Sequence, residues 1–236
     1  MIFIVYHLPH CNLYYGWYPK KILSGSIVYS LVVILWMKTS RIETLVDGIF
    51  AISMTLLVLT LDVPKVSNFL TEAAFQQQLG VLWPQFFCYF LSFWILGGLW
   101  RVNHQHFNFI KHTDHTLVTI NIFSLIFIAM IPFSTEMVSE YGASYFTANM
   151  IFQVNQLLAG SLYYINWDYS VRKNLLDDVD ARTVNFIRAN TLVLPLCAIL
   201  AISLSPFIYA WSNLIFFTIP VFKRLLERKY FTQGDD

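Results

Sequence analysis

The chain of 236 residues is poor in charge. Only 12% of it is Asp, Glu, Lys or Arg, whereas soluble globular domains carry about 25%. So little charge cannot cover the surface of a water-soluble protein of 27.5 kDa. An excess of one sign is missing too, with 15 Lys and Arg against 14 Asp and Glu. A nucleic-acid-binding module with a basic face is therefore excluded. Cysteine is scarce and odd in number: Cys11, Cys88 and Cys197, with no CxxC pair. Cys88 and Cys197 lie inside apolar runs and read as small buried hydrophobes. There is no nucleophile–base pair, phosphate loop or cofactor fingerprint, so the sequence points to no enzyme and no bound cofactor.

What the chain has in abundance is hydrocarbon. Hydrophobic residues make up 57%, aromatics 17%, and the mean hydropathy is +0.56. These values define an integral membrane protein. Six apolar stretches approach the roughly 20 residues that a helix needs to cross a bilayer. They run Leu45–Val63, Leu82–Trp100, Thr116–Ile131, Tyr145–Ile165, Phe186–Leu204 and Phe207–Phe222. They are continuous rather than alternating, so the expected fold is all-α and polytopic, with six transmembrane helices, rather than a barrel. Ser205-Pro206 is expected to turn the chain between the last two. Trp36, Trp83, Trp94, Trp100, Trp167 and Trp211 are expected in interfacial belts.

Basic residues set the topology. The segment before the first span, the loops after the second and fourth, and the C-terminal tail hold all but one of the Lys and Arg residues; the remaining connections hold only Lys65. The positive-inside rule then puts both ends of the six-span unit in the cytoplasm, with the chain in the cell membrane. The domain reading is a six-helix unit over residues 37–225 and a cytoplasmic tail over 226–236. Residues 1–36 form an N-terminal extension without the basic start and small-residue cleavage site of a signal peptide. Either translation begins natively at Met37, or Ile22–Met37 is an extra, re-entrant or interfacial helix.

The densest information lies in Ser40–Pro64. Ser40-x-x-Glu43 reads as a capping box that starts a helix at Arg41, and the helix should end before Pro64. Asp47 sits near its inner end, where an ionisable group needs a partner or water. Arg41, six residues away, is off its face, so polar groups of another helix are the expected partners. Gly48 suggests a close helix approach there. Further out, Ile52, Leu56 and Leu59 lie within about 60° of one another, with Thr55 at the border of the stripe. By periodicity alone this is one apolar face among several.

Other constellations read as ordinary surface. His104 and His106 lie about 200° apart on a helix and cannot chelate one metal. Asp114 with His112 and His115 lacks further ligands, so no metal site is expected. Asp177, Asp178 and Asp180 should form salt bridges with Arg172, Lys173 and Arg182. Asp62 and Glu72 at the outer end could concentrate cations or simply be solvated.

The run from Arg41 through Asp47-Gly48 to Phe50-Ala51-Ile52-Ser53-Met54-Thr55-Leu56-Leu57-Val58-Leu59 resembles the first helix of the transmembrane protein 175 family. Trp100-Arg101-Val102-Asn103-His104 resembles that family's tryptophan-plus-histidine motif. Asn121 to Phe127, with Pro132-Phe133-Ser134-Thr135, resembles its third helix. The similarity covers about residues 38–225. One departure is Leu45-Val46, where the family has Phe-Ser before Asp-Gly.

The resemblance implies a potassium-permeable channel without a TVGYG filter, built as a homotetramer whose first helices line one central pore. Ile52 would form the constriction, Leu56 and Leu59 the outer rings, and Thr55 the layer that favours potassium. Arg41, Asp47, Gly48, Trp100, Asn103 and His104 would match the inner polar network. A ring of isoleucines gates by dewetting, and weak preference for the more easily dehydrated potassium ion follows. The expected partners are potassium ions and membrane lipid, with no nucleic acid. The rival reading is a secondary or proton-coupled transporter, in which Asp47 and His104 relay protons, although no inverted repeat is seen. A non-conducting scaffold is a third class.

Overall fold

The computed structural model describes residues 39–63 and 71–232. The extension over 1–36 and the helix expected at Ile22–Met37 lie outside the described residues. Helix α1 spans Thr39–Leu56 and tightens into a 3-10 segment over Leu57–Thr60. Ser40 is already helical, and the Thr44 hydroxyl donates to its carbonyl at 2.8 Å. The expected capping box is thus absent, because a capping residue needs non-helical backbone. The rod ends at Thr60, short of Pro64.

Helix α2 (Glu72–Val81) is capped by Thr71. It meets α3 (Trp83–Phe109) at a 43° bend. Pro84 sits in the first turn of α3, where its missing N–H costs little. Asp114 caps α4 (His115–Ala129), accepting from the Leu117 amide at 2.8 Å. After Met130 the chain runs on as α5 (Ile131–Tyr141), with Pro132 in its first turn. The third apolar stretch therefore continues as helix well beyond its expected end at Ile131.

Helix α6 covers Phe146–Arg172, and α7 covers Ala181–Ile208 under an Asp180 cap. A 3-10 segment (Tyr209–Thr218), α8 (Ile219–Glu227) and a wider closing turn (Arg228–Thr232) follow. The chain does not turn at Ser205-Pro206. Helix α7 passes through Pro206, which forfeits only one backbone bond near the helix end, and reverses at Tyr209 with φ +48°. Among the described residues, Ser40–Thr60, His115–Tyr141 and Ala181–Phe231 are continuous helical stretches long and apolar enough to cross a membrane, and the bent pair α2–α3 makes a fourth. Helix α6 is as long as α3 at 27 residues, but buried carboxamides lower its hydropathy.

Those carboxamides form one stripe. Asn149, Gln153, Gln156, Gly160, Tyr163 and Trp167 repeat at i+4 and i+3, so they share a face of α6. That face packs against α7 and the 3-10 segment after it. Gln153 donates to Ser212 (2.7 Å) and Asn213 (2.8 Å), Asn213 donates to Asn149 (2.8 Å), and Asn149 donates to the Gly142 carbonyl (2.7 Å). Trp167 belongs to no interfacial belt. It is fully buried and donates to the Val184 carbonyl at 3.3 Å.

At one end, the α3–α4 and α6–α7 connections are clasped together. The Lys111 amide donates to the Leu175 carbonyl at 2.9 Å, and the Asp177 amide to the Phe109 carbonyl at 2.8 Å. The Lys111 ammonium bonds Asp177 at 3.0 Å and holds its carboxyl below the usual carboxylate range. Asp177 therefore pairs with Lys111 rather than with its own loop, and Asp180 is taken by the α7 cap. Arg172 and Arg188 both converge on Asp168 instead. Within the segment read as the cytoplasmic tail, Tyr230 and Phe231 pack against Phe186.

Candidate functional site: the uncovered face of helix α1

Helix α1 has two unlike faces. Ile42, Val46, Phe50, Ser53 and Leu57 are nearly or fully buried, at i+4 and i+3 spacing. They pack towards α3, α4 and α5. The opposite face is open: Ile52 is 59% exposed, Leu56 42% and Leu59 75%. Thr55 is exposed between them. Its hydroxyl hydrogen turns back to the Ala51 and Ile52 carbonyls, at 3.0 and 2.8 Å. That leaves the oxygen lone pairs as the group Thr55 presents outwards.

Asp47 lies on the open side, and Trp100 of α3 reaches it. The indole N–H donates to a carboxylate oxygen of Asp47 at 2.9 Å. The Trp100 ring stacks on His104, one turn further along, with centroids 5.8 Å apart and planes 17° from parallel. The structure thus brings Asp47, Trp100 and His104 together. It does not bring Arg41 into this group: Arg41 is exposed and makes no ion pair among the described residues. Asn103 points into the core and is 4% exposed. Gly48 is exposed, and a Cβ there would meet nothing within 4 Å. The expected close helix approach at Gly48 is therefore not made within the described part of this chain.

A second bond ties the other end of the same two helices. Asp62 accepts from the Gln85 side-chain amide at 3.1 Å, and its own backbone N–H donates to the Gln85 carbonyl oxygen at 2.9 Å. Sequence reasoning passed over Gln85, whose only signal was a polar residue beside Pro84 at the start of a span. Asp62 is therefore a tethered group, while Glu72 is exposed in the first turn of α2.

His106 lies on the other side of α3 from His104, as its spacing requires, but it is a core residue rather than surface and is 1% exposed. Its Nε2 lies 3.1 Å from the Thr191 hydroxyl, and its ring stands 4.9 Å from Trp167. Thr191 donates its single hydrogen to the Ile187 carbonyl at 2.8 Å. By elimination His106 Nε2 is the donor in that pair. Asp114 serves as helix cap and accepts from the Tyr169 hydroxyl, so it faces away from any grouping with His112 and His115.

These features define a class: an all-α, multi-pass membrane protein with one helix pinned to its neighbour and bare on its far side. Comparison with known proteins refines this. The family described as "Endosomal/lysosomal potassium channel TMEM175" matches residues 41–132, which hold most of α1 and all of α2, α3 and α4. A potassium channel of Streptomyces collinus is 35% identical over 104 residues, which is 44% of this chain and 49% of that one. The endosomal/lysosomal proton channel TMEM175 of Mus musculus is 28% identical over 158 residues, 60% of this chain and 30% of its own. The chain spans about half the length of the bacterial relatives it matches. The crystal structure of a lysosomal potassium-selective channel TMEM175 homolog from Chamaesiphon minutus superposes with a TM-score of 0.69 at 26% identity, covering 80% of this chain and 97% of that one. Residues 41–132 thus resemble the TMEM175 family, and the fold is that of a solved TMEM175 homolog.

Proposed function

We propose that this chain is one subunit of a potassium-permeable channel of the cell membrane, a homotetramer of six-span subunits with α1 of each subunit facing a shared axis and both ends of the unit in the cytoplasm. The observation that carries the reading is the bare face of α1. It holds Asp47, Gly48 and Thr55 among its apolar residues, a mixture of charged, small and hydroxyl groups that lipid does not favour. Four copies would close that face around a path. Ile52 then forms the narrowest ring and gates by dewetting, with Leu56 and Leu59 above it. Thr55 offers oxygen acceptors beside the ring. Asp47, held by Trp100 and flanked by His104, supplies negative charge at the inner entrance. The names of the bacterial relatives support potassium as the permeant ion, whereas the animal relatives are named proton channels.

Recording from purified protein in planar bilayers tests this. Unitary potassium currents are expected, and native mass spectrometry should show four 27.5 kDa chains. Ile52→Asn should raise the current by wetting the ring, and Thr55→Ala should lower the potassium-over-sodium preference. Coupled flux without unitary currents would mark a transporter instead. A reversal potential that follows only the proton gradient would assign the path to protons. Unchanged conductance in Ile52→Asn would remove Ile52 from the constriction.

A further inference from the structure

Helices α7 and α8 leave a groove of about 600 Å³ between them. Leu196 and Leu200 of α7 and Phe222 and Leu225 of α8 form its sides, and all four are about half exposed. Val193 and Cys197 form its floor and are buried. One charged group lines it, Lys229, from the closing turn after α8. The two helices run antiparallel across the reversal at Tyr209, so Lys229 lies at the Ala189 end and Leu200 at the other.

We propose that this groove binds one anionic phospholipid of the inner leaflet, its acyl chain between α7 and α8 and its headgroup phosphate on Lys229. Four observations fix the occupant. From Ala189 to Leu200, α7 rises about 16 Å at 1.5 Å per residue. One leaflet of hydrocarbon is about 15 Å deep, half of the roughly 30 Å core. Among the described residues the only charge lining the groove is positive and lies at one end, which matches an amphiphile with an anionic head and a single apolar direction. Arg228 precedes Lys229 and is exposed, adding to the attraction. Among the described residues the ion pairs use Lys111, Arg172 and Arg188, and none uses Lys229. Position completes the argument. The groove is built by α7 and α8, which pack on each other and through α7 on α6, while the uncovered helix α1 packs on α3, α4 and α5. A second copy meeting the bare face of α1 would leave the groove to lipid. The inference rests on the multi-pass membrane fold and on the proposed cytoplasmic side of the C-terminal end, and its last point on the proposed contact between subunits.

The test is native mass spectrometry of the full chain, extracted with phosphatidylglycerol or with phosphatidylcholine of the same acyl chains. Retention of phosphatidylglycerol should exceed that of phosphatidylcholine. Lys229→Glu should reduce phosphatidylglycerol retention by about fivefold or more, the effect of roughly one basic contact at an anionic surface, and should leave phosphatidylcholine retention unchanged. Leu200→Trp, which fills the groove, should reduce both. Lys173→Glu, an exposed basic residue elsewhere, serves as the control and should change neither. Equal retention of the two lipids would overturn the proposal. So would an equal effect of Lys173→Glu, which would mean diffuse surface charge. Dissociation of subunits in Leu200→Trp with lipid retention intact would reassign the groove to a neighbouring copy. Because this readout needs no current, a protein that conducts nothing can still pass or fail this test, and the two failures are distinguishable.

Discussion

On the proposed reading, Asp47 carries two duties. Its carboxylate is exposed on the bare face of α1 and is fixed there by the Trp100 indole. The bond needs an acceptor oxygen but no charge, so the two properties can be separated by mutation. Asp47→Asn keeps an oxygen in place and should leave thermal stability nearly unchanged. Asp47→Ala removes the acceptor and should cost about 1 kcal/mol, the scale of one partly solvated hydrogen bond. Both variants lose the charge and should reduce inward-facing cation affinity alike. Thermal denaturation alongside current recording checks this, and equal stability of the two variants would show that the Trp100 bond contributes nothing. The sequence placed Asp47 near a polar partner on another helix but did not single out Trp100 by geometry. A hydrogen bond between positions 53 apart in sequence has no local periodic signature; here the family resemblance set the two residues side by side.

At the scale of the element, α6 is where packing leaves the least freedom. A Cβ on Gly160 would sit 2.9 Å from Cδ and 3.0 Å from Cγ of Pro195, whose ring cannot turn aside. Gly160→Ala should therefore cost about 1–3 kcal/mol through overpacking. Gly98→Ala on α3 meets nothing within 4 Å, and should gain up to about 1 kcal/mol by helix propensity. Opposite shifts in melting temperature are expected, and a neutral Gly160→Ala would show that α6 and α7 can part. Helix positions and the polytopic class were legible because hydrocarbon length and backbone satisfaction dictate them. Terminations were less so. Helix α5 extends the third stretch because Pro132 falls where proline starts a helix, and α7 outruns Pro206 because a proline near a C-terminus breaks only one bond. The stripe Asn149, Gln153, Gln156 is readable at helical spacing, but polar residues there look like a solvated face until a neighbouring helix is seen to cover them. Gly48 misled for the converse reason: its freedom is real, yet no neighbour within the described chain uses it.

For the whole molecule, the two ties between α1 and α3 have a joint consequence. Asp47 bonds Trp100 at one end, and Asp62 bonds Gln85 at the other. The chain separation between the two anchors is the same on each side, with Asp62 just past the end of the α1 rod, so the pair resembles a ladder section with a rung at either end. Sliding one rail past the other by a helical turn, about 5.4 Å, breaks both rungs together. Rocking both rails as a unit breaks neither. If α1 bounds the path as proposed, any widening of it must carry α3 outwards as well, and the moving part is a two-helix splint rather than a single rod. Spin labels on α1 and α3 of one subunit should keep their separation between closed and conducting states, while labels on α1 of opposite subunits move apart. If the within-subunit distance also changes, the rungs are not holding.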